Sequence, residues 1–291
     1  MLVPDFVRQC VLFLGIKDTE TSRFIPKATA FVVSIFEQGC GFRYIVTAKH
    51  NVENFTKFGL TMFIRSNLWK GGIREDDWSA ARWYFHPDLA STDVAVATIT
   101  FHTAEEYRTI VLRTDAPNKG TVATTEVMEA NNIGLGDEVF IVGLFKSHHG
   151  QKMNVPIVRI GNLAMMKGEP VWTTYCGYTE AHLVEARSID GLSGSPVFIH
   201  SPVLHPQGAT QFRLLGLMHG HFDIKNLNED IVVEHLGDVT RGINTGIGVV
   251  IPVEKIIETI DQPELAEQRK KLADNDRKRY PNADVTRDQP Q

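Results

Sequence analysis

Ser188-Ile189-Asp190-Gly191-Leu192-Ser193-Gly194-Ser195-Pro196-Val197-Phe198 is a tight turn of small residues running into an apolar stretch of strand character. Gly191 and Gly194 flank Ser193, so the backbone can bend sharply there and present amide N–H groups on one side. A serine hydroxyl beside converging amides suits acyl transfer, because those amides can bind the oxyanion that forms on attack. Taken alone, the stretch reads equally well as an ordinary Gly/Ser turn between strands. The two readings part company on whether the rest of the chain supplies a base and an orienting acid.

Working outward, the chain is a series of short apolar runs broken by turn residues. Val11–Ile16, Ala28–Phe36 and Phe42–Thr47 read as strands, the last two joined by the turn Gln38-Gly39-Cys40-Gly41. This hairpin delivers Thr47-Ala48-Lys49-His50-Asn51-Val52 at its far end. The loop His86–Asp93, rich in Pro, Asp and Ser, precedes a buried strand at Val94–Ile99. Asp115–Thr125 is polar and reads as a crossing between two halves. Beyond it, Val139–Gly143, Val155–Met165, Val171–Tyr175, Leu183–Ala186, Pro196–His200 and Phe212–Met218 continue the strand series. Many short strands with frequent turns predict an all-β barrel or sandwich. Helical spacing is expected only near the end, at Pro252–Ile260 behind a proline start. After Pro263 the chain is charged with both signs, and residues 262–291 are expected to be a solvated helix fading into a flexible tail.

A chain of 291 residues can bury a large core, as one big domain or two packed halves. The formal net charge of −5, without a basic stripe, offers no electrostatic argument for nucleic acid. Cys10, Cys40 and Cys176 are too sparse for a disulfide framework or a cysteine-based zinc site. No run approaches a membrane span, and the first residues lack the basic start of a secretory signal. The expectation is a reduced, cytoplasmic protein with no cofactor and no membrane or nucleic-acid partner.

Three residues can make an activated nucleophile. Ser193 attacks, His50 takes its proton, and Asp93 holds the imidazole in the right tautomer and stabilises its positive form. Each sits at the edge of an expected strand, where a loop can aim it at a shared cleft. Singly, a His after a strand is an ordinary surface residue and an Asp before one an ordinary turn former; the order His, Asp, Ser in these local contexts is more telling. Ser195, two positions on, is assigned a turn role.

Thr47-Ala48-Lys49-His50, Asp93-Val94-Ala95-Val96 and Gly191-Leu192-Ser193-Gly194-Ser195-Pro196-Val197 resemble the three motifs of the chymotrypsin/trypsin-like serine proteases. Gly246–Pro252 is similar to the closing strand of the bacterial HtrA-type and glutamyl-endopeptidase-type members. The resemblance spans roughly residues 10 to 260 and implies two six-stranded antiparallel β-barrels with a C-terminal helix. On that basis residues 10–118 form a barrel carrying His50 and Asp93, and residues 119–261 a second carrying Ser193. The implied activity is hydrolysis of peptide bonds through an acyl-enzyme, with protein or peptide substrates and an oxyanion hole at the amides of Gly191 and Ser193. A catalytically silent or partner-gated peptide-binding module of the same fold is the alternative.

Several positions depart from that family. Lys49 stands where alanine is usual, its stem expected to lie along the surface. Leu192 replaces the aspartate that pairs with a freshly cut N-terminus in secreted members, so activation by that route is not expected. No regulatory peptide-binding module is expected after the protease region, leaving any activating partner unknown. Specificity, by the same resemblance, falls to Arg187 at the base of the primary pocket and to His219 and Gly220 on its wall, with Met218 and His221 on the same strand. A cationic, imidazole-lined pocket would favour an acidic side chain, unless Arg187 turns to solvent and pairs with Glu185 or Asp190. Metal binding by His219, His221 and Asp223 is a lesser alternative resting on their alternate spacing along a strand; no metal is expected.

Overall fold

The computed structural model describes residues 3, 5–68, 71–99, 108–115, 121–186, 191–201, 211–224 and 243–279. A short helix α1 (Asp5–Gln9) leads into β1 (Val11–Lys17), β2 (Phe24–Glu37) and β3 (Cys40–Thr47). Helix α2 (Lys49–Lys57) follows, then β4 (Phe63–Asn67), β5 (Ile73–Asp77), β6 (Tyr84–Phe85), β7 (Ala95–Thr98) and β8 (Ile110–Arg113). Helix α3 (Thr125–Ala130) stands before β9 (Glu138–Gly143), β10 (Ile157–Met165), β11 (Val171–Thr173), β12 (Gly177–Thr179) and β13 (His182–Glu185). The chain ends with β14 (Pro196–Ser201), β15 (Gln211–Ile224), β16 (Ile243–Pro252), α4 (Val253–Ile260) and α5 (Pro263–Arg279).

Strands β1 to β8 form one sheet in the order β5-β4-β1-β2-β3-β7-β6, with β8 pairing β2 in parallel. Strands β9, β10, β13, β14, β15 and β16 close into a six-stranded barrel, and β11 with β12 makes a separate hairpin. The all-β expectation therefore holds, and so does the six-strand count of the second unit. The first unit differs, with eight strands and, among the described residues, no closing pair. The added pieces include the short edge strand β5, whose residues are too polar to announce it as a core strand.

The long apolar runs are continuous because both faces of their strands are covered. In β1, Val11 and Phe13 join a core between the two sheets, while Leu12 and Leu14 face the interior of the first sheet. In β2, Phe31, Val33 and Ile35 take the first side and Ala28, Ala30 and Val32 the second. In β9, Phe140 and Val142 belong to the shared core, and Val139 and Ile141 fill the closed barrel. Alternation at a period of two is thus present, but split between two apolar environments. The shared core holds the two halves together and frames the site at their junction.

Two helices besides the expected α4 flank the halves. Helix α2 buries His50, Asn51, Val52 and Phe55 along one side; α3 starts from Thr124, whose side chain accepts the Val127 amide. The charged C-terminal segment forms helix α5 from Pro263 to Arg279, and the rest of the expected flexible tail, residues 280–291, lies outside the described residues. Its Arg269 side chain, buried, donates to Glu37, Tyr44 and Asp261, docking the helix on β2 and β3. Leu265 and Ala273 bury the apolar part of the same helix.

Candidate active site

His50 lies in the first turn of α2, directly after β3, which fixes its Cα at the mouth of the junction. Asp93 ends the loop before β7 and is fully buried. Its Oδ1 accepts the backbone N–H of His50 at 2.8 Å and its Oδ2 meets His50 Nδ1 at 2.6 Å. On the other side of the ring, His50 Nε2 lies 2.6 Å from Ser193 Oγ. The structure thus brings the three expected residues into one continuous hydrogen-bonded chain.

The turn carrying Ser193 is held from both halves. The Thr29 backbone N–H and Asn51 Nδ2 both donate to the Ser193 carbonyl, each at 3.1 Å. Thr29 Oγ1 donates to the Gly191 carbonyl at 2.7 Å and accepts the Leu144 amide at 3.0 Å. Gly194 donates its N–H to the Met218 carbonyl at 2.7 Å, and Ser195 accepts the Met218 N–H at 2.8 Å. Gly194 has φ +82°, and a Cβ there would lie 2.3 Å from the Thr29 carbonyl oxygen. Only glycine lets the turn lie this close to β2.

Asp93 carries a third partner that sequence reading missed. His219 Nδ1 lies 2.5 Å from Asp93 Oδ2, the oxygen that also meets His50. Burial raises the Asp93 pKa, but His50 and His219 outweigh it and hold the carboxyl well below the ordinary carboxylate range. An ionised carboxylate can only accept, so both Nδ1 atoms donate. In the neutral imidazole this places the lone pair on His50 Nε2, toward Ser193 Oγ, the tautomer a general base requires. His50, Asp93 and His219 also have the composition of a metal site. Separations of 2.5 and 2.6 Å are those of charge-assisted N–H···O bonds, whereas donors around an ion with ~2.0 Å bonds stand about 3 Å apart. The cluster fits protons better than a metal.

The expected specificity residues are placed unevenly. Met218 is buried in the closed barrel and serves the site through its backbone. His219 turns its ring inward to Asp93 instead of outward to a pocket wall, and is only 3% exposed. The reason is local: the register of β15 against β16 shifts between Met218 and Gly220, and such a bulge re-aims side chains. A side chain at Gly220 would meet open space, and His221 is half-buried. Arg187, with Ser188 to Asp190, lies outside the described residues, as does the side chain of Asp223.

Lys49 departs from its expected surface course. It is buried, and its Nζ donates to the Leu89 carbonyl, bracing the loop that bears Asp93. From the opposite side the β11–β12 hairpin leans over the site. Tyr175 at its tip stacks on His50, and Thr179 Oγ1 donates to the Ser91 carbonyl. Burial and the charge of Asp93 push the thiol of Cys176 beside it up to about 12. All three cysteines are free thiols. No signal in the sequence pointed to Thr29 or Tyr175, or to a bond between Asp93 and the His219 ring expected on the pocket wall, since each reaches the site from a distant strand or hairpin; Asn51 could have been suspected as the neighbour of His50.

No protein-family model matches the chain. A search of curated proteins finds no match either. Among solved structures, the apo protease domain of MamO from Magnetospirillum magneticum is similar over 88% of this chain and 98% of that one, at 16% identity and a TM-score of 0.50. Deg5 is similar over 87% of this chain and 88% of its own, at 15% identity and a TM-score of 0.46. The HtrA-type protease AlgW with a tripeptide is matched over 87% of this chain and 60% of its own, at 16% identity and a TM-score of 0.48. With one closed six-stranded barrel, a second β-unit and a C-terminal helix, the chain has the trypsin-like fold that the MamO protease domain also has.

Proposed function

We propose that this protein is a serine endopeptidase in which Ser193, His50 and Asp93 act as nucleophile, base and orienting acid. The observation that carries the reading is the unbroken chain Ser193 Oγ, His50 Nε2, His50 Nδ1, Asp93 Oδ2, with 2.6 Å at each of its two hydrogen bonds and its acid end buried. A serine at this distance from an unprotonated imidazole nitrogen can pass its proton as the hydroxyl oxygen bonds to a carbonyl carbon. Asp93 then stabilises the imidazolium, which returns the proton to the leaving amine and frees it. Water deprotonated by the same imidazole hydrolyses the resulting ester and restores Ser193.

The oxyanion falls to the amides of Gly191 and Ser193. The Leu192 carbonyl accepts the Ser195 N–H at 2.9 Å, and a planar trans peptide sends the Ser193 N–H the opposite way. Gly191 at φ +101° supports the same turn. The substrate is an extended peptide. Strand β15 pairs with β14 only as far as Leu217 on one side, and the edge beyond it suits an added strand. An acidic preference at the acyl residue rests on Arg187 and His221, because the His219 ring is committed to Asp93. Three free thiols favour a reducing, cytoplasmic setting.

Labelling with a fluorophosphonate, read by intact mass, tests the reading on the native chain, Ser193→Ala and Ser195→Ala. One adduct on the native chain and on Ser195→Ala, with none on Ser193→Ala, is expected. A folded native chain that takes no label would overturn the enzyme and leave a peptide-binding module.

A further inference from the structure

The protease reading uses three residues, yet a fourth touches the chain at both of its ends. The His219 carbonyl oxygen lies 3.0 Å from Ser193 Oγ, and its ring nitrogen 2.5 Å from Asp93 Oδ2. We infer that His219 is a positioning residue: it donates its Nδ1–H to the carboxylate oxygen that also accepts from His50, so that Asp93 divides its charge between two imidazoles. The kinetic part of this inference rests on the protease reading; the hydrogen-bond part does not.

The accounting at Asp93 is complete. Oδ1 takes the His50 backbone N–H, and Oδ2 takes both imidazole N–H groups. Two donors on one oxygen compete for the same electron density, and His219 also fixes the rotation of a carboxylate that no water reaches. The ring is itself held: His50 lies edge-on to it at 5.6 Å, and Tyr175 lies edge-on at the same centroid distance. The groups facing it are therefore Asp93, His50 and Tyr175, with the Cys176 thiol influenced by the same carboxylate. Asp93 is the single anion among them.

Removing the His219 donor gives Oδ2 wholly to His50, which strengthens the hold of Asp93 on the imidazolium. The pH at which the fluorophosphonate rate is half-maximal should then rise in His219→Phe by about one unit. His219→Asn, whose amide nitrogen can stand where Nδ1 stood, should return the midpoint to near the native value. A purely structural role would lower the rate without moving the midpoint.

Proton NMR on Ser193→Ala reads the hydrogen bonds without any need for activity. Two downfield imidazole N–H resonances are expected, one of which disappears in Ser193→Ala/His219→Phe. A single such resonance in Ser193→Ala, or a His219→Phe midpoint equal to the native one, overturns the inference. If the native chain takes no label at any pH, the protease reading fails while the NMR result still decides whether His219 shares Asp93. Should His219→Phe fail to fold, the count of resonances in Ser193→Ala decides.

Discussion

The ring of Tyr175 lies flat on the ring of His50, with centroids 4.0 Å apart and planes 5° from parallel. Tyr175 comes from the tip of a hairpin in the second half, His50 from the first turn of a helix in the first half. The stack covers one face of the base while leaving the tyrosine 56% exposed. On the proposed protease reading the ring narrows the approach to the base, and a bulky acyl group would meet it. Tyr175→Ala should raise the labelling rate with a bulky aryl phosphonate several-fold more than with a methyl phosphonate. Tyr175→Phe, which keeps the stack, should behave as the native chain; equal effects of Ala on both probes would show that the ring excludes nothing.

Thr29 ties the nucleophile turn to the first half from a fully buried position. Thr29→Val keeps the shape but leaves the Gly191 carbonyl and the Leu144 N–H without their partner. Two unsatisfied buried groups should cost about 3 kcal/mol in urea unfolding. The loosened turn should also slow labelling of Ser193 roughly ten- to a hundredfold, since displacements of an ångström cost about that much. A variant as reactive as the native chain would mean that the backbone N–H of residue 29, Asn51 and Gly194 hold the turn without the Thr29 hydroxyl.

Ser195 is the counterpart of Ser193 in type and its opposite in role. It is fully buried, and its Oγ has no hydrogen-bond partner. Ser195→Ala should be neutral or stabilising by up to about 1 kcal/mol, because it removes an unsatisfied polar atom. The same hydroxyl explains Gly143, where a Cβ would lie 1.9 Å from it. Gly143→Ala should destabilise the protein, and adding Ser195→Ala should recover part of the loss. Strict additivity in that double-mutant cycle would count against the steric pairing.

His182 gives the second half an acid sensitivity separate from the site. Burial pushes its ring down to about 4 from 6.5, with Glu254 only partly opposing. Its Nδ1 accepts the Lys167 amide at 3.1 Å, and Nε2 is buried without a partner. Between pH 6.5 and 4 the unfolded chain binds a proton that the folded one refuses. Stability is therefore full above pH 6.5 and falls as the pH drops to 4, by about 3 kcal/mol from this group. His182→Asn should flatten that part of the curve of unfolding free energy against pH. Unchanged acid sensitivity in the variant would place the proton uptake elsewhere.

The residues of the candidate triad were legible because their chemistry is carried by type and local context. A serine between glycines, a histidine closing a strand and an aspartate opening one are each visible within ten residues. The strands were legible for a similar reason, since an apolar run of strand length needs no distant partner to be recognised. Helix α2 was not, because the polar Lys49, His50 and Asn51 become buried only through partners far along the chain, at Leu89, Asp93 and Ser193. Lys49 itself shows the limit: its stem and ammonium are inside, satisfied by a carbonyl forty residues away.

By itself the sequence determined an all-β chain and which residues could form a nucleophile, a base and an acid, because these follow from periodicity, turn chemistry and side-chain type. Only the tertiary structure decided that His219 leaves the pocket wall for Asp93 and that Tyr175 roofs His50. A bulge in β15 and the lean of a hairpin set those directions, and both arise from packing between segments far apart in the chain.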